Sequence, residues 1–81
     1  MKLYNFIKQT ISEIAEIPIN EIKDDSNFQE AYDMDSLEAI EILHRIEKKY
    51  KVKLRDIPLE NIQTLQDIYN ACKQFINTSV D

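Results

Sequence analysis

Not one of the 81 residues is glycine. Tight two-residue hairpins and phosphate-cradling loops both rely on glycine at positive φ, so neither is open to this chain. Its apolar residues, mostly isoleucine and leucine, instead recur at spacings of three and four, the pattern of amphipathic helices. Leu3, Phe6, Ile7, Thr10, Ile11, Ile14 and Ala15 make the first such stripe. Ile17-Pro18 is expected to end it, because the residue before a proline avoids helical backbone. Ile19 to Ile22 reads as a short turn that tucks its isoleucines inward.

Lys23 to Met34 reads as the one long connection. Asp24, Asp25, Ser26 and Asn27 are turn formers, and Phe28 and Tyr32 are expected to pin the loop to the core. A second helix is expected from Ser36 to about Tyr50, with Ala39, Ile42, Leu43, Ile46 and Tyr50 inward and Glu38, Glu41, Arg45, Lys48 and Lys49 outward. Leu37 and Ile40 fit either a widened core face or an apolar patch for a partner. Val52 and Leu54 have strand propensity but no partner strand, so they read as an extended link. Asp56 is expected to cap a short helix through Pro58, Leu59 and Glu60. Thr64, with Asp67 in the capping-box place, opens the last helix, whose inward stripe is Leu65, Ile68, Tyr69, Cys72, Phe75 and Ile76. Asn77 to Asp81 are expected to fray.

These elements predict an all-α fold, a small antiparallel bundle of three main helices plus one short helix. Residues 1–81 form a single domain, small enough to bury only about 60% of its unfolded surface. The single cysteine, Cys72, excludes an intrachain disulfide and a cysteine zinc cluster, and reads as a buried structural thiol. Lys2, Lys8 and Glu13 interrupt the first apolar residues, so neither a signal peptide nor a membrane span is expected. The chain is expected to be soluble and cytoplasmic, and to act as a monomer.

The net charge is −5, but its distribution says more. Residues 1–43 hold ten Asp/Glu against three Lys, whereas from His44 to Arg55 six basic residues face only Glu47. The surrounding negative field opposes a nucleic-acid backbone, and an acidic surface meeting basic protein partners fits better. Asp33 and Asp35 begin a calcium-loop pattern that fails, since Leu37, Glu38 and His44 stand at the third-ligand, glycine and glutamate places. No dedicated metal site is expected, and loose divalent-cation binding by the clustered carboxylates stays open.

The chemistry gathers at Asp33-Met34-Asp35-Ser36-Leu37-Glu38. Asp35 reads as the N-cap of the second helix and Glu38 as its capping-box partner. The Ser36 hydroxyl is then left free in the first turn, beside the positive end of a helix dipole that suits a phosphate-linked group. Nothing nearby activates it. His44 lies eight residues on, about 12 Å along the axis at 1.5 Å per residue, too far to act as its base. His44 itself reads as a surface residue that touches partners.

In its order of parts the chain resembles an acyl carrier protein, from Phe6 through Ile76: a long helix, a long loop holding Phe28, Asp35-Ser36-Leu37 opening the next helix, a short helix, and a closing one. That resemblance implies a 4′-phosphopantetheine arm on Ser36, flanked by Asp35 and Leu37, installed from coenzyme A by a phosphopantetheinyl transferase. The arm's thiol would hold acyl groups as thioesters, and the protein would be a carrier rather than an enzyme. An acyl-loading enzyme, a ketosynthase or an acyltransferase would be its partners. Glu38, Glu41, Glu47, Asp56 and Glu60 match the family's partner-contacting acids. Aspartate before the serine looks like the acyl carriers more than the peptidyl carriers. Asp33 stands where the family commonly has glycine, and Arg45, Lys48, Lys49, Lys51 and Lys53 are basic where general fatty-acid carriers are acidic. Those departures point to a dedicated carrier of a specialised acyl or polyketide pathway. An aminoacyl or peptidyl carrier, and a helical interaction module without a prosthetic group, are the alternatives.

Overall fold

The computed structural model describes residues 2–54 and 56–76. Arg55 and the fraying expected of residues 77–81 lie outside the described residues. Four α-helices carry the described chain: α1 over Lys2–Ala15, α2 over Phe28–Tyr32, α3 over Ser36–Tyr50 and α4 over Leu65–Cys72. Two 3-10 turns, Ile19–Glu21 and Leu59–Asn61, lie in the connections. The long helices form because each has one unbroken apolar stripe to bury, and α1 packs against both α3 and α4. Leu3, Ile7, Ile11, Ile42, Ile46, Leu65, Ile68 and Cys72 are wholly buried in one core. Among the described residues no strand occurs and no helix is long and apolar enough to cross a membrane.

Without glycine, the chain closes its helices on residues that carry a Cβ. Glu16 (φ 59°), Asp33 (φ 53°) and Lys51 (φ 57°) all adopt the left-handed conformation usually given to glycine at that position. For α1 this moves the stop forward: the helix ends at Ala15, Glu16 reverses the backbone, and the Ile17 amide donates to the Ser12 carbonyl at 3.1 Å. The Ile17-Pro18 pair follows the stop rather than causing it. Glu16 is exposed, and left-handed backbone costs a residue with a Cβ about 1 kcal/mol or more. Glu16→Gly is therefore expected to stabilise the domain by about 0.5–1 kcal/mol, read as a higher urea midpoint at unchanged slope. A lower midpoint would contradict this account of the turn.

Several local expectations need correction. The connection after Lys23 contains α2, which is too short to show a periodicity. Asn27 caps it, its Oδ1 accepting the amides of Gln29 at 2.9 Å and Glu30 at 3.1 Å. Phe28 is buried as expected, while the Tyr32 hydroxyl accepts the Lys23 amide at 2.9 Å. Of the two isoleucines in the following-α1 turn only Ile22 is buried; Ile19 stays 47% exposed. Among the described residues Asp56 caps nothing: the 3-10 turn begins after Pro58 with no side-chain cap, and proline presets that backbone. Thr64 does accept the Asp67 amide, at 3.0 Å, but Asp67 takes the amide of Gln63, one residue before the cap. Phe75 lies past the end of α4 and is 48% exposed, whereas Ile76 turns back into the core.

Candidate functional site

The site is built by the way the loop before α3 is tied down. The Phe28 amide donates to the Gln63 carbonyl at 2.8 Å and the Gln66 amide to the Asp24 carbonyl at 3.0 Å, so the loop is fastened to the chain entering α4. The left-handed Asp33 then lets the Met34 amide reach back to the Phe28 carbonyl at 3.1 Å, and Met34 drops into the core. Aspartate suits that position better than most residues. Burying Met34 leaves Asp35 and Ser36 to emerge on the surface, where α3 begins.

Asp35 and Glu38 form the full capping box. Asp35 Oδ1 accepts the Glu38 amide at 2.9 Å, and Glu38 Oε1 accepts the Asp35 amide at 3.2 Å. The Ala39 amide is taken by the Asp35 carbonyl at 3.1 Å, the first bond of the helix proper. The Ser36 side chain is excluded from this exchange. It is exposed and, among the described residues, makes no hydrogen bond of its own. Thr10, Ser12 and Thr64 differ: Thr10 donates to the Phe6 carbonyl, Ser12 donates to the Ile17 carbonyl, and Thr64 caps α4, whereas half-buried Ser26 opens no long helix.

Ser36 sits on the rim of an open groove of about 400 Å³. Met34, Asp35 and Ala39 form one side, and Leu59, Ile62 and Gln63 form the other, with Asn27 to Glu30 closing the end. The sequence alone did not bring Leu59, Gln63 or Asn27 to Ser36, because the backbone bonds that join these segments leave no mark on side-chain type. A second, smaller cavity of about 230 Å³ lies along α3, lined by Ile40, Leu43, His44, Glu47, Leu54 and Ile57, and Leu59 forms a wall of both.

The other singled-out residues spread along α3 and beyond it. Leu37 is 75% exposed, which decides that it is no part of the core, whereas Ile40 is half-buried. Glu41, His44 and Lys48 are exposed, as are Asp56 and Glu60. Glu38 is half-buried in the capping box. Glu47 is half-buried too, its Oε2 accepting the amide of the buried Leu54 at 2.7 Å. Cys72 is fully buried, and that burial pushes its thiol up to about 11, the signature of an inert structural cysteine.

A hydroxyl reached by solvent, held in a first turn whose cap is supplied by its neighbour, fits a covalently attached phosphodiester. The open N-terminus of α3 favours the negative charge such a group brings. A match to the model of the phosphopantetheine attachment site runs over residues 5–72. Polyketide-8 synthase acyl carrier protein 2 of Streptomyces avermitilis is 36% identical over 63 residues, which is 78% of this chain and 72% of that protein. The chain belongs to the acyl carrier protein family. The acyl carrier protein of Thermobifida fusca is 33% identical over 64 residues (79% of this chain, 81% of that one). That of Helicobacter hepaticus is 29% identical over 68 residues (84% and 90%).

Acyl carriers hold a covalent 4′-phosphopantetheine and are not catalysts. Once attached, that arm supplies a thiol on which acyl groups travel as thioesters. The geometry of this acyl carrier agrees with such a passive part. Nothing among the described residues is within hydrogen-bond reach of the Ser36 oxygen to draw off its proton. The family match also disposes of a helical module without a prosthetic group.

Proposed function

We propose that Ser36 is the attachment point of the arm, flanked by Asp35 and Leu37, and that this carrier serves a specialised acyl or polyketide pathway. The observation that supports the attachment point best is the idle, exposed Ser36 hydroxyl at the capped start of α3. A phosphopantetheinyl transferase supplies the metal and the base, taking the arm from coenzyme A. An acyl-loading enzyme, a ketosynthase or an acyltransferase then meets the arm at the Ser36 end of α3. Glu38, Ile40, Glu41, His44, Glu47, Lys48, Asp56 and Glu60 are the residues we assign to those contacts. The protein works as a monomer in the cytoplasm.

The specialised role is supported by charge. Five of the six charged residues from Arg45 to Lys53 are basic, which suits enzymes other than those that grip an acidic carrier. A relative named for a polyketide synthase points the same way. The test is to isolate the protein from its source, digest it, and weigh the peptide that contains Ser36. The expected species is an arm bearing oxo-, hydroxy- or branched acyl groups. A plain ladder of saturated fatty acyl groups would contradict the specialised role, and an aminoacyl group would favour a peptidyl-type carrier.

A further inference from the structure

The exposed side of α3 is not uniformly charged, and the structure shows which of its charges face outward uncommitted. Leu37, Glu41, His44 and Lys48 follow one another at spacings of four, three and four, so they stack on one side of the helix. All four are exposed. The stripe begins with an apolar side chain beside Ser36 and ends on a cation about 16 Å further along the axis, at 1.5 Å per residue.

The acids of α3 are engaged within the molecule, Glu38 in the capping box. Glu41 holds Arg45 Nε at 3.1 Å, and the same guanidinium reaches Glu13 at 3.1 Å, so Arg45 is neutralised as well. Glu47 points to the Leu54 amide. Lys49 leans over the Phe6 ring, its Nζ 5.8 Å from the centroid. What remains at the far end is Lys48, Lys51 and Lys53, all exposed and without a carboxylate partner among the described residues. Three such cations make a local positive field on a protein whose net charge is −5.

We infer that this stripe is a docking edge for an acyl-handling enzyme that offers an apolar recess for Leu37 beside the entrance receiving the arm and an acidic patch about 16 Å away. The inference rests on the reading that Ser36 bears the arm, and it adds the chemistry of the partner. An enzyme whose docking face is basic throughout is attracted at the Asp35 end and repelled at the lysine end. The lysines thus act as a filter against such enzymes.

The test uses the full-length carrier in its natural form, a Lys48→Gln/Lys51→Gln/Lys53→Gln form and a Lys48→Glu/Lys51→Glu/Lys53→Glu form. Each is first converted to the arm-bearing state and verified by intact mass. Two probes follow: a purified malonyl transferase with a lysine- and arginine-rich docking face, and the same enzyme with those residues changed to glutamate. Transfer to free pantetheine confirms that the chemistry of both is intact. With the basic-faced enzyme, kcat/KM is expected to rise from the natural form through the glutamine form to the glutamate form, by on the order of tenfold at low salt. That advantage should shrink at high salt. The charge-reversed enzyme should show the opposite order. Equal kcat/KM for all three forms at low salt, with the arm in place, would overturn the docking edge alone. A natural protein that takes no arm would sink the carrier reading and the docking edge with it.

Discussion

Ile46→Ala is expected to remove about 2–5 kcal/mol from the folding free energy. Ile46 is wholly buried on α3 and shares the core with Ile7 and Ile11 of α1 and Ile42 of its own helix. Truncating it forfeits the transfer energy of the lost methyl groups and leaves a cavity that rigid helices fill only in part. A domain of this size has about 4–12 kcal/mol to lose, at roughly 0.05–0.15 kcal/mol per residue, so a single isoleucine carries a large share of it. Tm should fall by roughly 10–30 °C. Ile46→Val, which keeps the branched shape, should cost only about 0.5–1.5 kcal/mol. Leu37→Ala, on the same helix but exposed, should stay within about 0.5 kcal/mol of the natural protein. Urea unfolding of the three variants checks the ordering. An Ile46→Ala midpoint equal to that of Leu37→Ala would mean that the burial assigned to α3 is wrong.

Much of this was legible in the sequence because the three long helices announce themselves through periodicity. Ser36 opens α3 and Tyr50 closes it as the spacing predicts, and the Asp35–Glu38 capping box forms with both of its bonds. The failures share a cause. Helix α2 spans only five residues, less than two turns, and its cap is a single asparagine in a run of turn formers. Nothing periodic distinguishes it from loop. Ile19 and Phe75 are apolar yet half-exposed, since apolar type predicts burial only where an element presents the residue to the core. Glu47 illustrates the limit for charges. By type it belongs with the outward acids of α3, but the returning chain places the Leu54 amide within its reach, and that pairing is tertiary. The groove beside Ser36 was equally hidden, because it depends on backbone bonds between the loop and the start of α4.

The second large effect is chemical. Ser36→Ala deletes the one oxygen that the capping box leaves idle, so attachment of the arm should fall to nothing. The fold should not notice: Ser36 is exposed, its hydroxyl holds no internal bond among the described residues, and alanine is the better helix former at an interior position. Its unfolding midpoint should therefore lie within about 0.5 kcal/mol of the natural protein, unlike that of Ile46→Ala. The hydroxyls of Thr10, Ser12 and Thr64 offer no substitute, being bound within the molecule.

Intact-mass analysis after incubation with coenzyme A, Mg²⁺ and a broad-specificity phosphopantetheinyl transferase brings this to a single reading. The natural protein should gain the mass of one phosphopantetheine group and folded Ser36→Ala should gain none. A natural protein that stays at its starting mass, or an alanine variant that gains the same increment, would contradict the account.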